Sequence, residues 1–292
     1  MADGGFPPGV ADKIKAIGAK FDEEINTATR AFYRAELERQ PTAGITVTAD
    51  IAYGSDPRQK LDLYRPQGQR LPILIYIPGG GFVRGDKNAD GVFYRNVGIY
   101  FARYGYLAAI ANYRLAPANP WPAGSQDVAG TVAWAKKEAE AHGGDANRVF
   151  LFGQSAGSTH VAGYLFDPQF HASSGVGVTA GVLMSGGGYR VSANPAPNQV
   201  AYYGSDPAQY EARSPITHVG KSRVPVFLSV AEYDPGFLAA ASFDLARALC
   251  QRDGKPPQFA FFRGHNHVST VDSIGSSQDD VGARVREFLG GF

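Results

Sequence analysis

Apolar runs of strand length alternate with helix-length segments along most of this chain, and no other feature limits its fold so tightly. Eight runs qualify as strands: ITVTADIAY, KLDLYRP, LPILIYIP, YLAAIANYR, RVFLFG, GVTAGVLMSG, VPVFLSVAEYD and PQFAFFRG. Helix-like stretches separate the later ones, at roughly 88–104, 124–142, 155–167, 236–252 and 278–289. The alternation predicts an α/β fold, a mostly parallel eight-stranded sheet flanked by helices on both faces.

Two segments depart from the pattern. From Val10 to about Gln40, the apolar residues Ile14, Ile17, Phe21, Ile25, Ala28, Phe32 and Leu37 recur at spacings of three to five between charges. This predicts an amphipathic helical segment, ended by Pro41. The second, Gly186 to about Val219, is rich in Pro, Ala, Ser, Asn and Tyr. It is too long for a plain connection, and its aromatics predict order rather than a loose linker. Residues 1–44 and about 186–219 are expected to contribute a small cap to one domain spanning 1–292, an ordinary length for a single α/β domain.

The 28 basic and 27 acidic residues leave no electrostatic footprint for nucleic acid or an acidic membrane, so a small-molecule partner is expected. With Cys250 the single cysteine, an internal disulfide, a cysteine-based zinc site and a CxxC redox motif are all excluded. The N-terminal sequence lacks a basic stretch followed by an apolar core, and no run of about 18 apolar residues occurs, which predicts a cytoplasmic location. The oligomeric state, homodimer included, is left open.

The stretch FLFGQSAGSTH (150–160) sets Ser155 between Gly153 and Gly157, directly behind an apolar run. In a parallel sheet, chemistry gathers at the carboxyl ends of strands. A nucleophile there must stand on a tight strand-to-helix turn, which needs small residues two positions away on either side. The following helix would aim unpaired backbone N–H groups at charge developing beside the serine, with Ala156 the first such donor. A serine hydroxyl is a poor nucleophile at neutral pH and needs a base and an orienting acid. Asp234 follows the seventh run, and His265 and His267 follow the eighth. Glu232 is the rival acid, but Asp234 lies farther past the strand, before Pro235-Gly236. His267 is preferred as base because the histidine nearer the strand end more often holds the turn. The pair could instead ligate a metal, but His142, His160, His171 and His218 form no matching cluster in the sequence, so no metal is expected. His160 reads as a packed helix residue. Gly79-Gly80-Gly81, at the end of the third run, would let backbone N–H groups approach a ligand oxygen, as an oxyanion hole requires.

These residues bring a family into view. The chain resembles the α/β-hydrolases of the hormone-sensitive-lipase-like and bacterial carboxylesterase group, with their arylformamidase-like relatives. The resemblance runs from about Asp50 to the C-terminus and rests on PGGGF (78–82), NYRLAPANPWPA (112–123), GGDANRVFLFGQSAG ending at Gly157, Asp234, and GHNHVS (264–269). It implies that Ser155 is the nucleophile, His267 the general base and Asp234 its partner. Gly80, Gly81 and Ala156 would supply the oxyanion hole, and Tyr113–Pro117 would fix the loop after the fourth strand. One departure stands out. The family usually has histidine before the glycines, where this chain has Pro78, which offers no side-chain hydrogen bond.

The implied activity is serine hydrolysis of small acyl or aromatic carboxylic esters through an acyl-enzyme, without a cofactor. Phe82, Val83, Trp121, Tyr189 and Phe237 are candidate pocket walls. The same triad would serve an amidase or arylformamidase. A non-catalytic ligand-binding protein on this fold would be expected to lack a triad residue, and none is missing here.

Overall fold

The computed structural model describes residues 6–292; the first five residues of the expected cap lie outside the described residues. All eight expected strands form: β1 (Thr46–Ala52), β2 (Lys60–Arg65), β3 (Leu71–Ile77), β4 (Leu107–Ala111), β5 (Gly144–Gln154), β6 (Ala180–Met184), β7 (Val226–Tyr233) and β8 (Gln258–Asn266). They make one sheet in the order β1-β2-β4-β3-β5-β6-β7-β8. β2 pairs antiparallel with both β1 and β4, and every other pairing is parallel.

Ten α-helices accompany the sheet among the described residues: α1 (Val10–Ile17), α2 (Glu23–Leu37), α3 (Arg95–Arg103), α4 (Ala123–Glu138), α5 (Ala156–Phe166), α6 (Pro197–Tyr203), α7 (Tyr210–Arg213), α8 (Gly236–Asp253), α9 (Ser269–Asp272) and α10 (Asp280–Leu289). The two-residue period of a strand divides the core. In β3, Ile73, Ile75 and Ile77 share one buried cluster with Val128 and Val132 of α4, Val161 and Leu165 of α5, and Leu245 of α8. Leu74 and Tyr76 join the other cluster, with Val97 and Phe101 of α3 and Val281 and Val285 of α10. Continuous apolar strands are therefore buried on both sides, as a parallel sheet demands.

Two helical expectations need adjustment. The N-terminal segment is two helices, because Gly18 at φ 63° closes α1 by donating its N–H to the Ile14 carbonyl, and Asp22 then caps α2 by accepting from Ile25 N–H at 2.8 Å. The stretch from 88 becomes helical only at Arg95, after Tyr94 at φ 38°.

α2 is fastened to the far edge of the sheet. Thr29 Oγ1 accepts from the Asn266 side-chain amide at 2.9 Å, and Tyr33 donates to Gln278 at 3.1 Å. The 186–221 segment is ordered, with α6, α7 and two short 3-10 turns. It packs Tyr202, Tyr203 and Tyr210 around Phe82, in the loop after β3.

The chain moves from β3 to β4 in one direction across the sheet, and from β5 to β8 in the other. The connections therefore diverge between the carboxyl ends of β3 and β5, where open α/β sheets form their ligand crevice.

One buried acid makes the fold sensitive to pH. Asp272 of α9 is enclosed beneath α2, and burial pushes its carboxyl up to about 7, with Arg30 Nε at 3.8 Å only partly opposing the rise. The unfolded chain releases this proton nearer the ordinary value of 3.8, so between about pH 4 and pH 7 the folded state binds more protons. This group's contribution to stability should therefore fall as pH rises through that window. Melting curves from pH 4 to 8 should show a smaller decline in that window for Asp272→Asn than for the wild type. Parallel curves would contradict the assignment.

Candidate active site

β5 ends at Gln154 and α5 begins at Ala156, so Ser155 alone makes the turn, at φ 56° and ψ −124°. Such a backbone is strained for a residue with a side chain and persists only where its surroundings enforce it. They do so on both sides. A Cβ on Gly157 would lie 2.1 Å from the Ile77 carbonyl oxygen at the end of β3, and one on Gly153 would lie 2.6 Å from the Ser158 nitrogen. Ser155 N–H donates to the Met184 carbonyl of β6 at 2.9 Å.

The other two candidates arrive from the next strand ends. Asp234 follows β7 and His267 follows β8. Both are buried, with Asp234 Oδ1 and His267 Nδ1 2.8 Å apart. The second carboxylate oxygen accepts from Ser185 Oγ and from Ala231 N–H, each at 2.7 Å. Both carboxylate oxygens are thus engaged, and the proton on Nδ1 leaves Nε2 as an acceptor. Among the described residues no hydrogen bond joins Ser155 to His267; such contacts often tighten only around substrate. Nε2 instead faces the side-chain nitrogen of Gln154 at 3.4 Å.

The rivals have other partners. Glu232 accepts from Gly264 N–H at 2.7 Å. His265 is fully buried, 3.0 Å from Ser269 Oγ, 3.1 Å from Asp280 Oδ2 and 2.6 Å from the Gln278 side chain, which ties the turn carrying His267 to the start of α10. Among the described residues no three His, Cys, Asp or Glu side chains are grouped as a metal site needs. His160 is buried between Phe82, Tyr113 and Tyr202 with neither ring nitrogen partnered, and burial pushes its imidazole down to about 3, leaving it neutral.

In the loop after β3, Gly80 takes φ 141°, and a Cβ there would fall 1.9 Å from the Arg84 carbonyl oxygen. The backbone N–H groups of Gly80, Gly81 and Ala156 donate to no acceptor among the described residues. Pro78 contributes no side-chain bond to this loop, and other groups hold it. Arg58 donates to the Gly85 carbonyl at 2.8 Å, and the Asn198 amide of α6 donates to the Gly81 carbonyl at 3.0 Å. Phe82, at φ 72°, stacks on Tyr202 at 4.9 Å with Tyr203 edge-on.

The expected pocket walls divide. Phe82 and Tyr189 are buried, Tyr189 bonded to Ser158, so neither presents an open wall; both are packing residues. Trp121 lies under the Arg213 guanidinium, 5.1 Å from the ring centre. Val83 is half-buried, whereas Phe237 is 62% exposed. A residue the pattern did not reveal stands closer to the chemistry. Phe21, 39% exposed in the α1–α2 loop, sets its ring against His267 at 4.6 Å. Its spacing suits a helix face, and only the break at Gly18 frees it.

Comparisons with known proteins agree with this architecture. Residues 61–166 match the family model described as BD-FAE, a span that reaches from β2 through Ser155 to the end of α5 and omits Asp234 and His267. Esterase LipC of Mycobacterium tuberculosis (strain ATCC 25618 / H37Rv) is 35% identical over 128 residues, covering 42% of this chain and 31% of that protein. Esterase LipQ of the same organism is 26% identical over 266 residues, covering 83% of this chain and 62% of its own. The chain thus spans less than two thirds of these curated relatives. A hyperthermophilic esterase from the archaeon Pyrobaculum calidifontis superposes with a TM-score of 0.69 at 19% identity, covering 97% of this chain and 99% of that one. The fold is that of the α/β-hydrolases. Within them, the chain is similar to proteins named as esterases, in line with the resemblance to the hormone-sensitive-lipase-like carboxylesterase group. Among the described residues no helix is long and apolar enough to cross a membrane.

The close approach at Gly157 carries a direct test. Gly157→Ala should destabilise the protein by about 3 kcal/mol or more, because backbone rather than a flexible side chain must move. Urea unfolding measures it; a loss below about 1 kcal/mol would show that the elbow is not wedged against β3.

Proposed function

We propose that this protein is a serine carboxylesterase acting on small acyl or aromatic esters. The observation that carries the reading is the buried Asp234–His267 pair at the strand ends that follow a serine held on a strained turn. In this reading Ser155 Oγ attacks the ester carbonyl while His267 Nε2 takes its proton. Asp234 keeps the imidazole in the right tautomer and stabilises its charged form. The N–H groups of Gly80, Gly81 and Ala156 bind the tetrahedral oxyanion, the alcohol leaves with the proton from His267, and water releases the acid by the same route. Relatives named as esterases support the choice of bond, as does the relative named probable carboxylic ester hydrolase LipM.

The preference for small or aromatic groups rests on the modest size of the segments around the site and on the exposed rings of Phe21 and Phe237. In the proposal, α1, α2 and the 186–221 segment form a small cap on a single domain. No part of it calls on a cofactor, a metal, nucleic acid, a membrane or a second copy of the chain. A cytoplasmic location stays within the proposal on composition alone.

Turnover of p-nitrophenyl acetate should fall by about 10⁴-fold or more in Ser155→Ala and His267→Ala, and by about 10⁴-fold in Asp234→Asn. Variants retaining a tenth of wild-type activity would refute the triad. The wild type should turn over the acetate ester faster than the palmitate ester; equal or faster palmitate hydrolysis would refute the small-substrate preference.

A further inference from the structure

Gln154 lies inside the Gly153–Gly157 motif, directly before Ser155, and its side chain reaches the Gly79–Gly81 loop. Its side chain is buried at the end of β5, and two of its contacts fix its orientation. The amide nitrogen donates to the His267 backbone carbonyl at 3.1 Å, which only the NH2 end can do. The same nitrogen lies 3.4 Å from His267 Nε2, a long contact for a hydrogen bond. The oxygen end fills space that a side chain on Gly79 would need, since a Cβ there would lie 2.5 Å from Gln154 Oε1. The first glycine of the Gly79–Gly81 run therefore makes room for Gln154, while Gly80 makes room for the Arg84 carbonyl.

We infer that Gln154 is a positioning residue for His267, anchoring its loop through the backbone carbonyl and presenting an N–H to Nε2. This rests on the proposal that His267 is the base. The groups around the ring are few. Asp234 faces Nδ1 from the end of β7, the Phe21 ring lies against it from the α1–α2 loop, and Gln154 faces Nε2 from β5. His265, near the end of the strand that His267 follows, is engaged with Ser269, Gln278 and Asp280. Gln154 is thus the neutral group that meets the lone pair the base must use. A donor aimed at that lone pair stabilises the unprotonated ring and opposes its protonation; a carboxylate in the same place does the reverse. Once substrate is bound, the weak contact at 3.4 Å yields to Ser155, while the bond to the carbonyl keeps the loop in register.

The test is the pH dependence of kcat/KM for p-nitrophenyl acetate in wild type, Gln154→Met and Gln154→Glu, with melting curves recorded for each. Methionine keeps the length of glutamine and removes the N–H. In Gln154→Met the acid limb should move to higher pH and kcat should fall about tenfold with KM little changed. In Gln154→Glu the limb should move farther, by about one unit or more. Should Gln154→Glu fail to fold, the Gln154→Met profile decides alone. Acid limbs that superimpose on the wild type, at whatever activity, would overturn the inference and leave Gln154 a packing residue. A wild type without hydrolysis, or with hydrolysis that survives in His267→Ala, would instead overturn the reading of His267 as base.

Discussion

α5 begins so close to the end of β3 that the backbone at Gly157 has no room for a side chain beside the Ile77 carbonyl. That approach holds Ser155 in its left-handed turn and brings the amino end of α5 alongside the loop that follows β3. In the proposed mechanism the N–H groups of Gly80, Gly81 and Ala156, from two separate connections, serve one oxygen. Moving α5 away by the width of a methyl group would relax the serine and, in the proposed mechanism, separate the oxyanion donors as well. The strain at Ser155 and, in the proposed mechanism, the preorganisation of the site are consequences of the same packing.

Much of this was legible in the chain. The eight strands appear where apolar runs stand, because strands buried on both faces admit little but apolar residues. Ser155, Asp234 and His267 were singled out because each lies just past such a run, and the fold places all three at strand ends. The clamp on the glycine loop was not legible, because Asn198 and Tyr202 lie more than a hundred residues from Gly81 and carry no local periodicity toward it. Tyr189 misled for a related reason. An aromatic in an irregular segment reads as a wall, whereas here its hydroxyl meets Ser158 in the interior. Phe21 was masked by its own neighbours, whose spacing continues a helix that Gly18 interrupts.

The 186–221 segment changes how the Pro78 departure is understood. A histidine at that position would hold the loop from within. In this chain the hold comes from outside, through Asn198 on the Gly81 carbonyl and the tyrosines of α6 around Phe82. The arrangement couples the glycine loop after β3 to the proposed cap, so that displacement of α6 would loosen that loop. The N-terminal helices do the same for His267, since α2 is bonded to the β8 turn and its preceding loop lays Phe21 on that ring.

The central claim is that Ser155 is a nucleophile made reactive by this geometry. Intact mass after treatment with a fluorophosphonate addresses it most directly, because the reagent needs an activated serine and reports no substrate preference. A single adduct on the wild type, absent in Ser155→Ala, is the predicted result. A wild type that takes no label, or a Ser155→Ala variant that labels equally well, would contradict the account.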